Sequence, residues 1–202
     1  MNQTLSIRKE NPSDQKWIVE LTEKAFETLE ISDHNEGRLV DNLRKASTFI
    51  EDLSLVAELN GQVVGHILFT PIRIEEGKEK FESLILAPVS VLPEFQKQGI
   101  GGQLIRAGHQ KALELGFHSV ILIGHPEYYP RFGYKPASTW GIKSPIPLPM
   151  MFLWRLNSPR TLWPMYPERW FSLLNLEFND CRFLSAALKY YLVQVNFETI
   201  LT

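Results

Sequence analysis

Three glycines lie close together in the run Glu94-Phe95-Gln96-Lys97-Gln98-Gly99-Ile100-Gly101-Gly102, between a β-rich stretch and one of helical periodicity. The first N–H groups of a helix have no partner within the helix. The helix dipole adds roughly half a positive charge at that end. A diphosphate fits such a nest if the backbone can come close, and Gly99, Gly101 and Gly102 remove the side chains that would obstruct it. A plain glycine-rich turn explains the run less well, because three glycines cost backbone entropy and supply no packing. The pattern is not a nucleotide P-loop, which needs Gly-Lys-Ser/Thr after its last glycine. A dinucleotide site is disfavoured too, since Leu104 stands where the third glycine of Gly-x-Gly-x-x-Gly would fall. Lys97 and Arg106 are near enough in sequence to be phosphate contacts or ordinary solvated charges. Further chemistry-bearing side chains are His66, His125 and the phenols Tyr128 and Tyr129. The five histidines show no metal-ligand spacing, and no metal is expected. The single cysteine, Cys181, allows no intrachain disulfide and argues against a cysteine-based metal site.

The loop needs a strand before it and a helix after it. Residues 81–92 read as a long strand, apolar on both faces and therefore central. Ile100, Leu104, Ile105, Gly108, Ala112 and Leu115 recur at helical spacing, and Gly116 is a natural stop. Residues 118–124 form the next buried strand, which makes a strand–loop–helix–strand crossover. Upstream, residues 5–8 predict a strand and Pro12-Ser13-Asp14 a helix start. Trp17, Ile18, Leu21, Ala25 and Phe26 then follow a helical stripe. A second helix is expected over residues 36–45. Asn60-Gly61 between the β-rich runs 55–59 and 62–69 predicts a tight hairpin, because both central residues need positive φ. Residues 75–80 read as a charged turn, and residues 138–140 and 152–156 as further short strands.

In this order the features resemble the GNAT superfamily of acyl-CoA N-acyltransferases, whose motif is Arg/Gln-x-x-Gly-x-Gly/Ala, here Gln96, Gly99 and Gly101. Leu-Val-Ala-Glu-x-x-Gly-x-x-Val-Gly-His, from Leu55 to His66, is similar to the family as well. So is Tyr-x-x-x-Gly-Tyr at Tyr129, Gly133 and Tyr134. The segment His-Pro-Glu-Tyr-Tyr-Pro-Arg-Phe-Gly-Tyr, from His125 to Tyr134, resembles a bacterial subgroup of predicted N-acetyltransferases. The likeness covers residues 5 to 140.

The resemblance implies an α/β (α+β) GNAT fold: a mixed, mostly antiparallel central sheet flanked by helices and splayed between the fourth and fifth strands. It implies acetyl-CoA as cosubstrate. Gln96, Gln98, Gly99, Ile100, Gly101, Gly102 and Gln103 would hold the CoA pyrophosphate. Val89, Val91 and Leu92 would lie along the pantetheine arm, with Phe132 nearby. Tyr129 would be the acid that protonates the leaving thiolate, with Tyr128 its rival in register. Tyrosine, with a pKa near 10, keeps its proton at neutral pH and can donate it to a nascent thiolate. Some members use a glutamate on the central strand as base. Residues 84–92 contain none, and Glu82 lies too early, so His66 and His125 are the candidates; for each, a structural hydrogen-bonded histidine is the competing reading. Glu27, Glu30, Asp33 and Glu36 could draw a cationic amine or simply form a solvated surface. The expected activity is transfer of acetyl from acetyl-CoA to a primary amine, on a small molecule or a peptide, by direct attack in a ternary complex. A non-catalytic CoA-binding sensor or assembly module on the same fold is the alternative.

Bulk properties agree. The chain has 202 residues, 44% hydrophobic and 22% charged, with net charge −2 and a sequence pI of about 6.2. That composition builds an ordinary core and lacks the basic excess of a generic nucleic-acid binder. Residues 1–10 hold no apolar stretch of signal-peptide length, and no apolar run approaches a membrane span, so no membrane partner and a cytoplasmic location are expected. Residues 1–166 are read as the acetyltransferase domain and residues 167–202 as an extension of unknown role. The extension is rich in large apolar residues, including Trp170, Phe171, Phe178, Tyr190 and Tyr191. Residues 182–192 fit a helix, and residues 189–197 equally fit a strand. The apolar stripe would pack on its own domain, form a homodimer contact or cover the acceptor groove.

Overall fold

The structure is a computed structural model and describes residues 4–28, 35–76, 78–142, 153–157 and 174–177. The expected helical segment 182–192, the alternative strand 189–197, Glu30 and Asp33 lie outside the described residues.

The chain opens with β1 (Leu5–Lys9), and Asn11 N–H then donates to Asp14 Oδ2 at 2.7 Å in a short turn before α1 (Gln15–Phe26). α1 buries Ile18, Leu21, Thr22, Ala25 and Phe26, and the Trp17 indole N–H reaches Val63 O at 2.8 Å. α2 (Glu36–Arg44) follows, then β2 (Ser54–Leu59) and β3 (Gln62–Glu76). The turn between the strands is the tight one expected, with Asn60 at φ 51° and Gly61 at φ 84°.

β3 and β4 (Glu79–Val91) pair along almost their whole length, out to Glu76 opposite Glu79. The charged turn expected over residues 75–80 is therefore too long, because residues 75, 76, 79 and 80 belong to the paired strands. Glu75 and Lys80, opposite each other in the two strands, form an ion pair. The expected central strand also carries a bulge: Ile67 and Phe69 face Val89 and Leu86, so three steps on β4 oppose two on β3. Pro88 lies in that bulge, where a residue without an N–H interrupts no ladder bond.

α3 (Ile100–Glu114) returns the chain, and β5 (Ser119–Ile123) lies parallel to β4. β7 (Leu153–Asn157) pairs with β5, and the two-residue β6 (Lys135–Pro136) pairs with β7. The sheet order is β1-β2-β3-β4-β5-β7-β6, antiparallel except for β4 with β5. β8 (Leu174–Glu177), from the stretch read as an extension, pairs antiparallel with residues 73–76 of β3.

Two expectations are corrected. Ser138–Trp140 is no strand: it belongs to a short 3-10 turn, Ala137–Trp140, closed by Gly141 at φ 69° and by Ile142 N–H to Ala137 O. Leu115 is 40% exposed and not on the inner face of α3, because the helix has already ended there and Gly116 turns the chain with φ 85°.

Successive side chains of a strand point to opposite faces. Gly65 of β3 meets Leu104 of α3, whereas His66 turns toward the α1–α2 side. α3 approaches β3 closely because Gly108 lies against Phe69; a Cβ there would come within 2.1 Å of Phe69 Cε2 and 2.5 Å of Cζ. Phe69 is fully buried and cannot swing into solvent. Gly108→Ala should therefore destabilise the protein by about 1–3 kcal/mol through overpacking. Urea unfolding measures this; an unchanged midpoint would contradict the packing described.

Candidate active site

β4 and β5 pair only at Leu84–Val120 and Ile85–Ile121. Beyond that point residues 86–91 of β4 have no strand partner on the β5 side among the described residues, and the two strands part. A cleft of about 700 Å³ lies at the far end of β4 and is lined by Val89, Val91, the loop from Phe95 to Gly102, Arg106 and the cluster Tyr128, Arg131 and Phe132.

The loop that closes one end of the cleft is shaped by its own side chains. Gln96 Nε2 donates to Val91 O at 3.0 Å, and Gln98 Nε2 donates to Glu94 O at 3.1 Å. Gly99 takes φ 82° and caps α3, its carbonyl accepting from Gln103 N–H at 3.1 Å. The amides at the start of α3 therefore face the cleft with the helix dipole behind them. Lys97 also takes a left-handed conformation, at φ 60°, unusual and mildly costly for a residue with a side chain.

Opposite the loop stands an aromatic cluster. The Tyr128 and Phe132 rings meet edge to face at 5.4 Å, and Tyr128 and Tyr129 at 5.1 Å. Tyr128 Oη lies 3.3 Å from where a Cβ on Gly101 would be. Burial raises the Tyr128 pKa, against the pull of Arg131 and Arg106. Tyr129 lies differently: its ring rests on Gly124, just past the end of β5, where a Cβ would fall 2.1 Å from Tyr129 Cε2. Behind it, Tyr134 meets His109 of α3 at 2.9 Å (Oη to Nε2). Burial lowers the His109 pKa to about 4, with Arg106 adding to the effect, so the imidazole is neutral near pH 7.

Of the residues expected at the cofactor, Val89, Val91, Gln96, Gly99, Ile100, Gly101, Gly102 and Phe132 line the cleft. Leu92, Gln98 and Gln103 do not. Leu92 is buried, Gln98 is exposed and folds back onto Glu94 O, and Gln103 is exposed. Phe95, Lys97, Arg106, Tyr128 and Arg131 join the lining. Of these, sequence reading gave Phe95 and Arg131 no role. The signal for Arg131 was the spacing Tyr128-x-x-Arg131-Phe132 on one short turn; no pattern singled out Phe95.

Of the residues expected to be catalytic, Tyr129, His66 and His125, none is in the cleft lining. His125 is exposed, and its carbonyl accepts Tyr128 N–H at 3.1 Å, so it shapes the turn that delivers Tyr128. His66 is fully buried in a polar chain. Arg44 donates to both Glu10 oxygens, at 2.7 and 3.0 Å, and Ser54 Oγ donates to Glu10 Oε2 at 2.7 Å. Ser54 has only one proton, so at 2.9 Å it must accept from His66 Nε2–H, which fixes the histidine tautomer. Burial lowers the His66 pKa, with Glu10 opposing.

With this geometry in hand, comparison with known proteins assigns the family. The Acetyltransferase (GNAT) domain profile matches residues 51–136. The uncharacterized N-acetyltransferase YjhQ of Escherichia coli is 39% identical over 127 residues, 62% of this chain and 70% of that protein. The crystal structure of a GNAT family acetyltransferase from Brucella melitensis in complex with acetyl-CoA is 39% identical and covers 76% of this chain and 88% of its own, with a TM-score of 0.63. That of the GNAT family N-acetyltransferase YhbS from Escherichia coli in complex with CoA is 28% identical and covers 78% and 83%, with a TM-score of 0.68. The chain belongs to the GNAT family of N-acetyltransferases. Among the described residues no helix is long and apolar enough to cross a membrane, and no cluster of side chains has metal-ligand geometry.

The Glu10 chain carries a pH prediction. Burial alone would raise the Glu10 pKa, but the nearby His66 imidazole and the hydrogen bonds from Arg44 and Ser54 outweigh it and bring it from 4.5 down to about 2. A depressed carboxylate stabilises the fold fully above its unfolded pKa and loses that contribution as pH falls through its folded one. Glu10→Gln, which breaks a buried ion pair, should cost about 3 kcal/mol near pH 7. In urea titrations at a series of pH values, the gap between wild type and variant should narrow between pH 4.5 and about 2. A gap that stayed constant would contradict the assignment.

Proposed function

We propose that this GNAT protein binds acetyl-CoA along β4, with the pyrophosphate on the loop from Gln96 to Gly102, and passes the acetyl group to a primary amine by direct attack. The observation that carries the reading is the combined geometry of parted strands and glycine loop. A thioester laid in the gap between β4 and β5 has its diphosphate at the amides that begin α3. The ligands of the Brucella and Escherichia coli relatives, acetyl-CoA and CoA, support this donor.

The amine lone pair attacks the thioester carbonyl carbon, forming a C–N bond and an oxyanion. The oxyanion collapses, the C–S bond breaks, and the CoA thiolate takes a proton. Tyr129 is the proposed donor of that proton. It rests on Gly124, beside the parting strands where the reacting carbon would lie. Tyr128 reaches the far end, over Gly101, and suits a phosphate contact better than an acid. The attacking nitrogen releases its own proton to solvent, and His66 and His125 act structurally. Acceptors with a modest amine pKa, already neutral in good part at pH 7, suit a site without a buried base.

Thermal denaturation with acetyl-CoA, CoA, ATP and NAD at equal concentration tests the donor. A ligand at 100 times its Kd adds about 2.7 kcal/mol, so the two CoA species should raise the midpoint while ATP and NAD do not. An amine panel scored by thiol release then tests turnover. Tyr129→Phe should lower kcat about 100-fold and leave acetyl-CoA affinity nearly unchanged. No midpoint shift with either CoA species, or full turnover in Tyr129→Phe, would overturn the corresponding half of the proposal.

A further inference from the structure

The cleft lining holds three cations, Lys97, Arg106 and Arg131, and no carboxylate. The chain as a whole is slightly acidic, with net charge −2. Among the described residues none of the three cations meets an acidic partner. They are also not equivalent. Lys97 belongs to the glycine loop and is carried there in a left-handed conformation that glycine or asparagine would adopt more easily. The two arginines instead rest on aromatic faces. The Arg131 Cζ lies 4.5 Å from the centre of the Tyr128 ring, and the Arg106 Cζ lies 5.2 Å from that of Phe132. The two rings pack against each other, so Arg131, Tyr128, Phe132 and Arg106 form one continuous stack.

A guanidinium resting on a ring has lost much of its rotamer freedom before any ligand arrives. Arg106 is tied further by a bond from Nη1 to Gly102 O at 3.2 Å. Arg106 Nη1 lies 3.3 Å from where a Cβ on Gly102 would be, and the Tyr128 hydroxyl 3.3 Å from where one on Gly101 would be, so the cluster meets the start of α3 at both glycines. The loop amides, the helix dipole and Lys97 already answer the two charges of a pyrophosphate. Two fixed forks remain, and a forked donor suits a terminal phosphate with three free oxygens better than a bridging one. CoA carries one such group, the ribose 3′-phosphomonoester, with a charge of about −1.5 to −2 at pH 7.

We infer that Arg106 and Arg131, stacked on Phe132 and Tyr128, form the subsite for the 3′-phosphate of CoA and make this protein select CoA over its 3′-dephospho form. The inference rests on the acetyl-CoA reading above and adds the residues that discriminate among donors. Lys97, by contrast, serves the pyrophosphate, which both forms share.

Calorimetric titration of the full chain with CoA and with 3′-dephospho-CoA separates these roles. The wild type should prefer CoA by roughly tenfold or more, as charge-assisted forked contacts do. In the Arg106→Gln/Arg131→Gln double variant the preference should fall below about twofold, with little change in the affinity for 3′-dephospho-CoA. Arg131→Lys keeps the charge without the fork and should retain only part of the preference. Lys97→Gln should weaken both ligands by the same factor. The ligand-free thermal midpoint of each variant reports whether the fold survives. Equal wild-type affinities, or a preference that persists in a folded double variant, would overturn the inference while leaving acetyl-CoA as donor. A wild type that binds neither ligand would overturn the donor reading and this inference with it.

Discussion

Strands β4 and β5 are hydrogen-bonded at two registers and then separate, and the features of the cleft follow from that separation. An open strand edge inside a sheet leaves backbone donors and acceptors that something must satisfy. Here one carbonyl at the end of β4, that of Val91, is taken by Gln96 Nε2. Among the described residues the edge before it has no strand partner on the β5 side. The bulge at Pro88 comes just where the strand leaves its parallel neighbour, and a bulge bends and re-aims a strand. Val89 and Val91 then face the cleft, while Ser90 between them turns inward and bonds Thr22 of α1 at 3.2 Å.

Charge is distributed to match. The interior under α1 and α2 holds its ions as closed pairs, with Arg44 and Glu10 both buried and mutually bonded. The cleft does the opposite and gathers cations without acids. A buried charge without a partner would be expensive, so the unpaired set sits where solvent reaches it and the paired set sits where solvent does not. His66 belongs to the paired set. Its polarity serves the join between β2, β3 and the two helices, which explains a histidine in the middle of an otherwise apolar strand.

Local chemistry made much of this legible in advance. Asn60-Gly61, the glycines at the start of α3 and Gly116 are positions where backbone conformation dictates residue type, and each was readable alone. The stripe of α1 was readable because one face is buried. What escaped depends on partners distant in the chain. The length of β3 and β4 is set by their mutual pairing, which extends past the last apolar residue. The short turn at Ala137–Trp140 has a composition that suits a strand equally well. Tyr128 and Tyr129 are adjacent in sequence and differ only in which glycine each ring meets, Gly101 or Gly124. The family resemblance, with no glutamate on the central strand, made His66 and His125 the candidates for the base, but burial and turn geometry take both out of the cleft lining.

The central claim is that the amides beginning α3 and the open edge of β4 together receive CoA. Amide proton–nitrogen correlation spectra of the labelled protein, recorded as CoA is added, test it at the atoms concerned. The largest shifts should fall on Gly99, Ile100, Gly101 and Gly102 and on the β4 amides from Val89 to Val91, with the β1–β2 edge unmoved. Shifts concentrated elsewhere, with the glycine-loop amides unchanged at saturating CoA, would contradict it.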